Sequence, residues 1–189
     1  MNYDYKIIYK NITLRPLKRD DIKLLMEWRN NKEENKFLKK IPTITMDKQI
    51  KWYEEYLKND KEVIFAICET ERINKMVGSL SLYNIKNNVS EVGRIQIGDK
   101  EAHGMGIGKK SLVMIMKFGF EVLNLNLIIG TVNKDNMPAL INDIAIGFKI
   151  IGEENSISYM GGREFNIEID YDRMKRINDY VADISIEKE

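Results

Sequence analysis

The chain has 189 residues, 43% apolar and 31% charged, which fits one soluble globular domain with a core of useful size. Lys and Arg number 30 against 29 Asp and Glu, so the clustered cationic excess that nucleic-acid binding depends on is absent. A single His103 and a single Cys68, far apart, make no zinc ligand set, and a lone cysteine excludes an intrachain disulfide.

Residues 6–17, "KIIYKNITLRPL", alternate β-branched side chains and read as a strand. An early Asp4 and a polar alternation replace the apolar core of a signal peptide. With the reducing compartment that Cys68 fits, this leads us to expect a cytoplasmic protein. "KRDDIKLLMEWRNN" follows as a helix introduced by Asp20 and Asp21, with Ile22, Leu25, Met26 and Trp28 near one another. "TMDKQIKWYEEYLKN" predicts a second helix, with Thr45 as its cap and Ile50, Tyr53 and Leu57 at helical spacing.

The period then changes. "EVIFAICE", "KMVGSLSLYNI" and "SEVGRIQIG" are short β-branched runs separated by polar turns, which predicts an antiparallel meander. After Gly108 a helix runs to about Val122, followed by a strand "NLIIGTV" and a helix "NMPALINDIAI". The chain closes with "GFKIIGEENSISYM", a "GGRE" turn and "FNIEIDYDRMK", read as two strands. The apolar run after Ser111 is broken by Lys117, Glu121 and Asn124 and is not expected to span a bilayer. The sum is a single α/β domain over residues 1–189. It has one central sheet, whose strand–helix–strand portion is parallel by crossover logic.

Between "GRIQI" and the next helix stand Gly104, Gly106 and Gly108. Backbone amides without Cβ atoms can converge on an anion, and a helix start adds unpaired donors and a positive dipole end. The spacing matches neither G-x-G-x-x-G nor G-x-x-x-x-G-K-[ST], so dinucleotide and nucleoside-triphosphate readings drop. An anion cradle and a plain strand–helix connector both remain open at this point.

A second window joins it: "NKDNMPALINDIAIGFKIIG", carrying Asn136, Ala139, Gly147 and Phe148. Together the two windows resemble the GNAT superfamily of acyl-coenzyme-A-dependent N-acetyltransferases. The first looks like its Arg/Gln-x-x-Gly-x-Gly/Ala motif, with His103 in the Arg/Gln position. "ITLRPLKRDDI", "EVGRIQIGDKEAHGMGIG" and "GGREFNIEIDYDRMK" look like the ribosomal-protein and sugar-amine branch. The resemblance implies a mostly antiparallel twisted sheet with a splayed parallel strand pair and flanking helices.

It further implies acetyl-coenzyme A as cosubstrate, with no metal. The pyrophosphate would rest on the amides of Gly104, Met105, Gly106, Ile107, Gly108 and Lys109, with His103 beside it. The main chain of Gln96 and Ile97 would meet the pantetheine arm, and Asn136 would bond the coenzyme; the alternative for Asn136 is helix capping. Glu91 is the candidate proton acceptor for the amine, with a solvated strand-start glutamate as its alternative. Asp143 stands where many members carry a tyrosine that protonates the leaving thiolate. That works for an aspartate only with a strongly raised pKa; otherwise a thiol with pKa near ~8.5 leaves unaided or Tyr159 reaches the sulfur. "MEWRNN" resembles sugar-amine acetyltransferases and makes Trp28 and Arg29 substrate-binding candidates, against a core aromatic and a surface ion pair. The expected partner is a small-molecule amine, such as an amino sugar, or a peptide N-terminus, with neither nucleic acid nor membrane. Oligomeric state is left open, a homodimer included, as is a catalytically degenerate coenzyme-binding module.

Overall fold

The computed structural model describes residues 4–35, 37, 41–155 and 163–188. The first strand reading resolves into a hairpin, β1 (Tyr5–Tyr9) and β2 (Ile12–Pro16), with Tyr9 opposite Ile12. The alternation runs unbroken through both strands and the turn contains neither Gly nor Pro. Lys10 makes the reversal in the left-handed region, at φ 52°. Asn11 anchors it by donating from Nδ2 to Glu69 at 2.7 Å.

A single 3-10 turn at Arg19–Asp21 leads into α1 (Ile22–Asn30). Asp21 holds this entry: Arg15 donates to both carboxylate oxygens at 2.7 and 2.8 Å, and the Lys18 amide donates at 2.7 Å. α2 (Met46–Tyr56) begins as expected at Thr45, whose Oγ1 accepts from the Lys48 amide. The meander is β3 (Val63–Glu69), β4 (Lys75–Lys86) and β5 (Val89–Ile97). Then come α3 (Ile107–Glu121), β6 (Leu127–Asn133), α4 (Met137–Ile146), β7 (Lys149–Asn155) and β8 (Arg163–Ile169).

"FNIEIDYDRMK" is not a strand to its end. Asp170 accepts from the Arg173 amide at 2.8 Å and caps α5 (Tyr171–Ile177), after which β9 (Ser185–Lys188) returns to β1. The side-chain oxygen of an Asp offers the first helical turn an acceptor that the ladder does not.

Among the described residues the sheet has nine strands in the order β7-β8-β6-β5-β4-β3-β2-β1-β9. Neighbours are antiparallel except β5 and β6, which are parallel, as expected. β3 shows why its sequence is continuously apolar: Val63, Phe65 and Ile67 enter the core on the α3 side, Ile64 and Ala66 the smaller core under α1 and α2. α3 is buried from Ser111 to Phe120, matching a helix that is apolar nearly all round. Its one buried cation, Lys117, donates to the carbonyls of Val181 at 3.0 Å and Ile184 at 2.8 Å, which offsets its desolvation. Among the described residues no helix is long and apolar enough to cross a membrane.

Glu69, fully buried at the end of β3, accepts from Asn11 and from the amides of Glu71, Arg72 and Ile73. These bonds, led by that from Ile73, hold its carboxyl down to about 2. A depressed acid stabilises the fold above its unfolded pKa, and that contribution is lost as pH falls. Urea midpoints of the wild type should therefore drop between about pH 4.5 and 2 more steeply than those of Glu69→Gln, which should be lower at neutral pH and flatter in acid.

Candidate active site

β5 and β6 pair over three residues only, Val89 with Leu127, Ser90 with Ile128 and Glu91 with Ile129. Beyond that rung β5 stays on β4 as far as Ile97, while β6 stays on β8 as far as Asn133. The strands part, and among the described residues the β6-facing edge of β5 from Val92 onward has no strand neighbour. Unpaired backbone donors and acceptors need a partner. This edge suits an extended ligand that brings its own amides.

The parting has a local cause. Ser79 pairs with Gln96 and Ser81 with Gly93, so three steps along β5 match two along β4. The extra residue is taken up in a bulge at Arg94, which sits in the left-handed region at φ 52°. Such a conformation costs a non-glycine residue on the order of 1 kcal/mol. Two contacts hold it: the guanidinium pairs with buried Glu62 and lies 4.5 Å from the ring centre of Tyr83.

Between the arms lies a cleft of about 1050 Å³. Tyr83, Arg94 and Gln96 line it from β4 and β5, and Thr131, Asn133 and Glu164 from the other arm. α1, α2 and the segment between them cover it with Arg29, residues 41–44, Lys48 and Trp52. Among the described residues the charged groups lining the cleft are Arg29, Lys48, Arg94 and Glu164, and Arg94 is already paired with Glu62.

At the far end of β5 the glycine loop alternates anchors with open backbone. Met105 and Ile107 turn inward onto the large core. Gly104 and Gly106 have φ of 76° and 70°, and a Cβ on either would meet nothing within 4 Å. Gly106 caps α3 without a side chain, so the amides of Ile107, Gly108 and Lys109 begin the helix with no intrahelical acceptor. This is the geometry of an anion cradle rather than of a crowded connector. His103 braces it: its Nε2–H donates to the Ile97 carbonyl at 2.9 Å, tying the strand end to the loop.

The remaining predicted residues divide. Asn136 lines the cleft and also caps α4, its Oδ1 accepting from the Ala139 amide at 3.3 Å. Asp143 lies two helical turns further along α4, half-buried and not on the cleft wall, and burial pushes its carboxyl up to about 7. α4 ends on Gly147 at φ 113°, where the amides of Gly147 and Phe148 close onto Ile144 and Asp143. Arg29 lines the cleft, and its guanidinium pKa is lowered by burial. Trp28 does not line it. Its indole lies flat over Gly98, where a Cβ would fall 2.0 Å from the ring, so it packs rather than reads substrate.

Glu91 is likewise not on the cleft wall. Asn84 donates to its Oε1 at 2.8 Å, and its register partner Tyr83 is the residue that reaches the cleft. Burial first, and the charge of Glu91 second, raise the Tyr83 hydroxyl to about 12. Gln96 is paired with Ser79 of β4, and its side chain donates to the Trp28 carbonyl at 3.1 Å and to Asn35 at 2.9 Å. Tyr159 lies outside the described residues. Tyr83, Arg94, Lys48 and Glu164 were not legible as site residues, because each sits in a run that scans as ordinary strand or exposed helix.

Comparison with known proteins agrees with this geometry. Residues 11–140 match the family model of the acetyltransferase (GNAT) domain. Over 144 residues the chain is 26% identical to the acetyltransferase PseH of Campylobacter jejuni, covering 76% of this chain and 87% of that protein. It is also 26% identical over 158 residues to the spermidine N(1)-acetyltransferase of Escherichia coli, 82% of each. The fold superposes on the Vibrio cholerae spermidine N-acetyltransferase solved with CoA and spermine at a TM-score of 0.80. That match has 20% identity and spans 88% of this chain and 99% of the other. With the family model spanning most of its sequence, the chain belongs to the GNAT family of acetyltransferases.

Proposed function

We propose that this acetyl-coenzyme-A-dependent N-acetyltransferase acts on a primary amine of a small molecule that also carries negative charge, with nucleotide-linked amino sugars as the best match. The cleft lining supports this reading: Arg29 and Lys48 stand on the roof across from Glu164, while the charge of Arg94 is matched by Glu62. Such a lining attracts an anionic group on the acceptor and repels a polycation. The similarity of "MEWRNN" to sugar-amine acetyltransferases points the same way. A polyamine is the second reading, favoured by Glu164 and by the spermidine acetyltransferases among the relatives. A peptide N-terminus and a coenzyme-binding module without turnover are further outcomes of the test below.

In this reading the coenzyme lies along the open edge of β5 with its pyrophosphate on the amides from Gly104 to Lys109. The free amine attacks the thioester carbon, a C–N bond forms, the C–S bond breaks, and a main-chain amide near Ile97 steadies the oxyanion. The amine must first lose a proton. Glu91 takes it at one remove, through water or the Tyr83 hydroxyl that stands between it and the cleft. Asp143, held near neutrality by burial, supplies a proton to the departing thiolate.

Free-thiol release with acetyl-coenzyme A should be fastest with a UDP-linked amino sugar; preference for spermidine would select the second reading, and tight coenzyme binding without release on any amine would select the module. Gly106→Val should raise the Kd for coenzyme A about tenfold, because it strains the left-handed cap that aims the loop amides; calorimetry showing no change would reject the cradle. If Asp143 acts as the acid, kcat should fall as pH rises through about 7, where the carboxyl ionises. Asp143→Asn should lower kcat and remove that limb from the pH profile.

A further inference from the structure

The roof of the cleft hangs on the last turn of α1, and that turn is tied to the coenzyme strand through one side chain. Gln96 on β5 donates from Nε2 to the Trp28 carbonyl at 3.1 Å and to Asn35 Oδ1 at 2.9 Å. Asn35, buried to 9% exposure, donates in turn to the carbonyls of Trp28 at 2.7 Å and Arg29 at 3.1 Å. These carbonyls belong to the last turn of the helix, where side-chain donors supplement the backbone; that of Trp28 also accepts from the Asn31 amide at 3.2 Å. One residue further on, Asn30 exchanges bonds of 2.9 Å in both directions with the Ile44 main chain. The same helix end therefore fixes Arg29 and the strip from 41 to 44, all of which face the cleft.

We propose that Gln96 is a positioning residue for the acceptor amine: through the carbonyls at the end of α1 it sets where Arg29 and the roof stand over the coenzyme strand. The proposal rests on the reading above, in which the acceptor enters between that roof and β5. Gln96 is the right residue type for the task. Its amide supplies two donor hydrogens to two acceptors from one nitrogen. A glutamate of the same shape supplies none when ionised and would face two oxygens. The main chain of Gln96 stays in register with Ser79 of β4, so the backbone holds the strand while the side chain holds the roof.

Steady-state kinetics with acetyl-coenzyme A and a UDP-linked amino sugar test this. Gln96→Ala and Gln96→Glu should each raise KM for the amine about tenfold while the Kd for coenzyme A stays within about twofold. Gln96→Glu should be at least as impaired as Gln96→Ala, since it keeps the volume and removes the donors. In the Arg29→Ala background the further effect of Gln96→Ala should largely vanish, because the two act on one interaction. Equal losses of coenzyme and amine affinity, full additivity with Arg29→Ala, or wild-type kinetics in Gln96→Glu would each overturn the assignment. A readout independent of turnover uses Trp28 as the single tryptophan in a Trp52→Phe background. Gln96→Glu should increase quenching of Trp28 by acrylamide, and unchanged quenching would reject the tether. Wild-type protein that releases no thiol with any amine would defeat the functional reading, while the quenching result would still decide the tether.

Discussion

The site depends on one residue held in an unfavourable backbone conformation. Arg94 occupies the left-handed region in the middle of β5, and the bulge it makes turns the strand away from β6 just past Glu91 and Ile129. An arginine does not stay there on its own account. Glu62 and the face of Tyr83 hold the guanidinium, and burial raises the carboxyl of Glu62 while the facing charge of Arg94 pulls it back. Two packed partners thus maintain a local strain of about 1 kcal/mol, and the opened edge follows from it.

Everything downstream is aligned by that opening. β5 delivers its last residue, Ile97, to a hydrogen bond with His103, and the chain then enters the glycine loop with Met105 and Ile107 pinned in the core. The amides at the start of α3 face outward at the mouth of the parted strands because their neighbours face inward. On the other arm, β6 leads through Asn133 to the cap at Asn136, so α4 starts at the cleft. β5 offers two different surfaces to the cleft, an unpaired edge past Glu91 and side chains such as Arg94 and Gln96.

Much of this was legible in the sequence because it rests on residue types with few conformational alternatives. Three glycines before an apolar helix announce an exposed backbone, and Asn136 with Pro138 announces a capped start. The meander, the buried helix and the strand–helix–strand crossover follow from period and composition. Three features did not show. The turn at Lys10 and Asn11 lacks Gly and Pro, so β1 and β2 scanned as one strand. Asp170 looked like an alternating strand residue until its side chain met the Arg173 amide. Arg94 sits within "GRIQI", a run with perfect strand credentials, and only its distant partners Glu62 and Tyr83 explain why it bends. Of the two readings open for Trp28, its contact with Gly98, seventy residues away along the chain, matches the core aromatic.

The contacts of Lys117 place a constraint on the order of assembly. Its ammonium is buried in the middle of α3 and finds its acceptors at Val181 and Ile184, just before β9 closes on β1. Until that last stretch arrives, Lys117 lacks its two carbonyl acceptors and keeps only Glu121, 3.9 Å away one turn along α3, and the first hairpin keeps an open hydrogen-bonding edge. The helix that presents the glycine loop and the strand that closes the sheet therefore become stable together. Non-local closure of this kind folds slowly, and it makes the loop competent only once the whole sheet is complete.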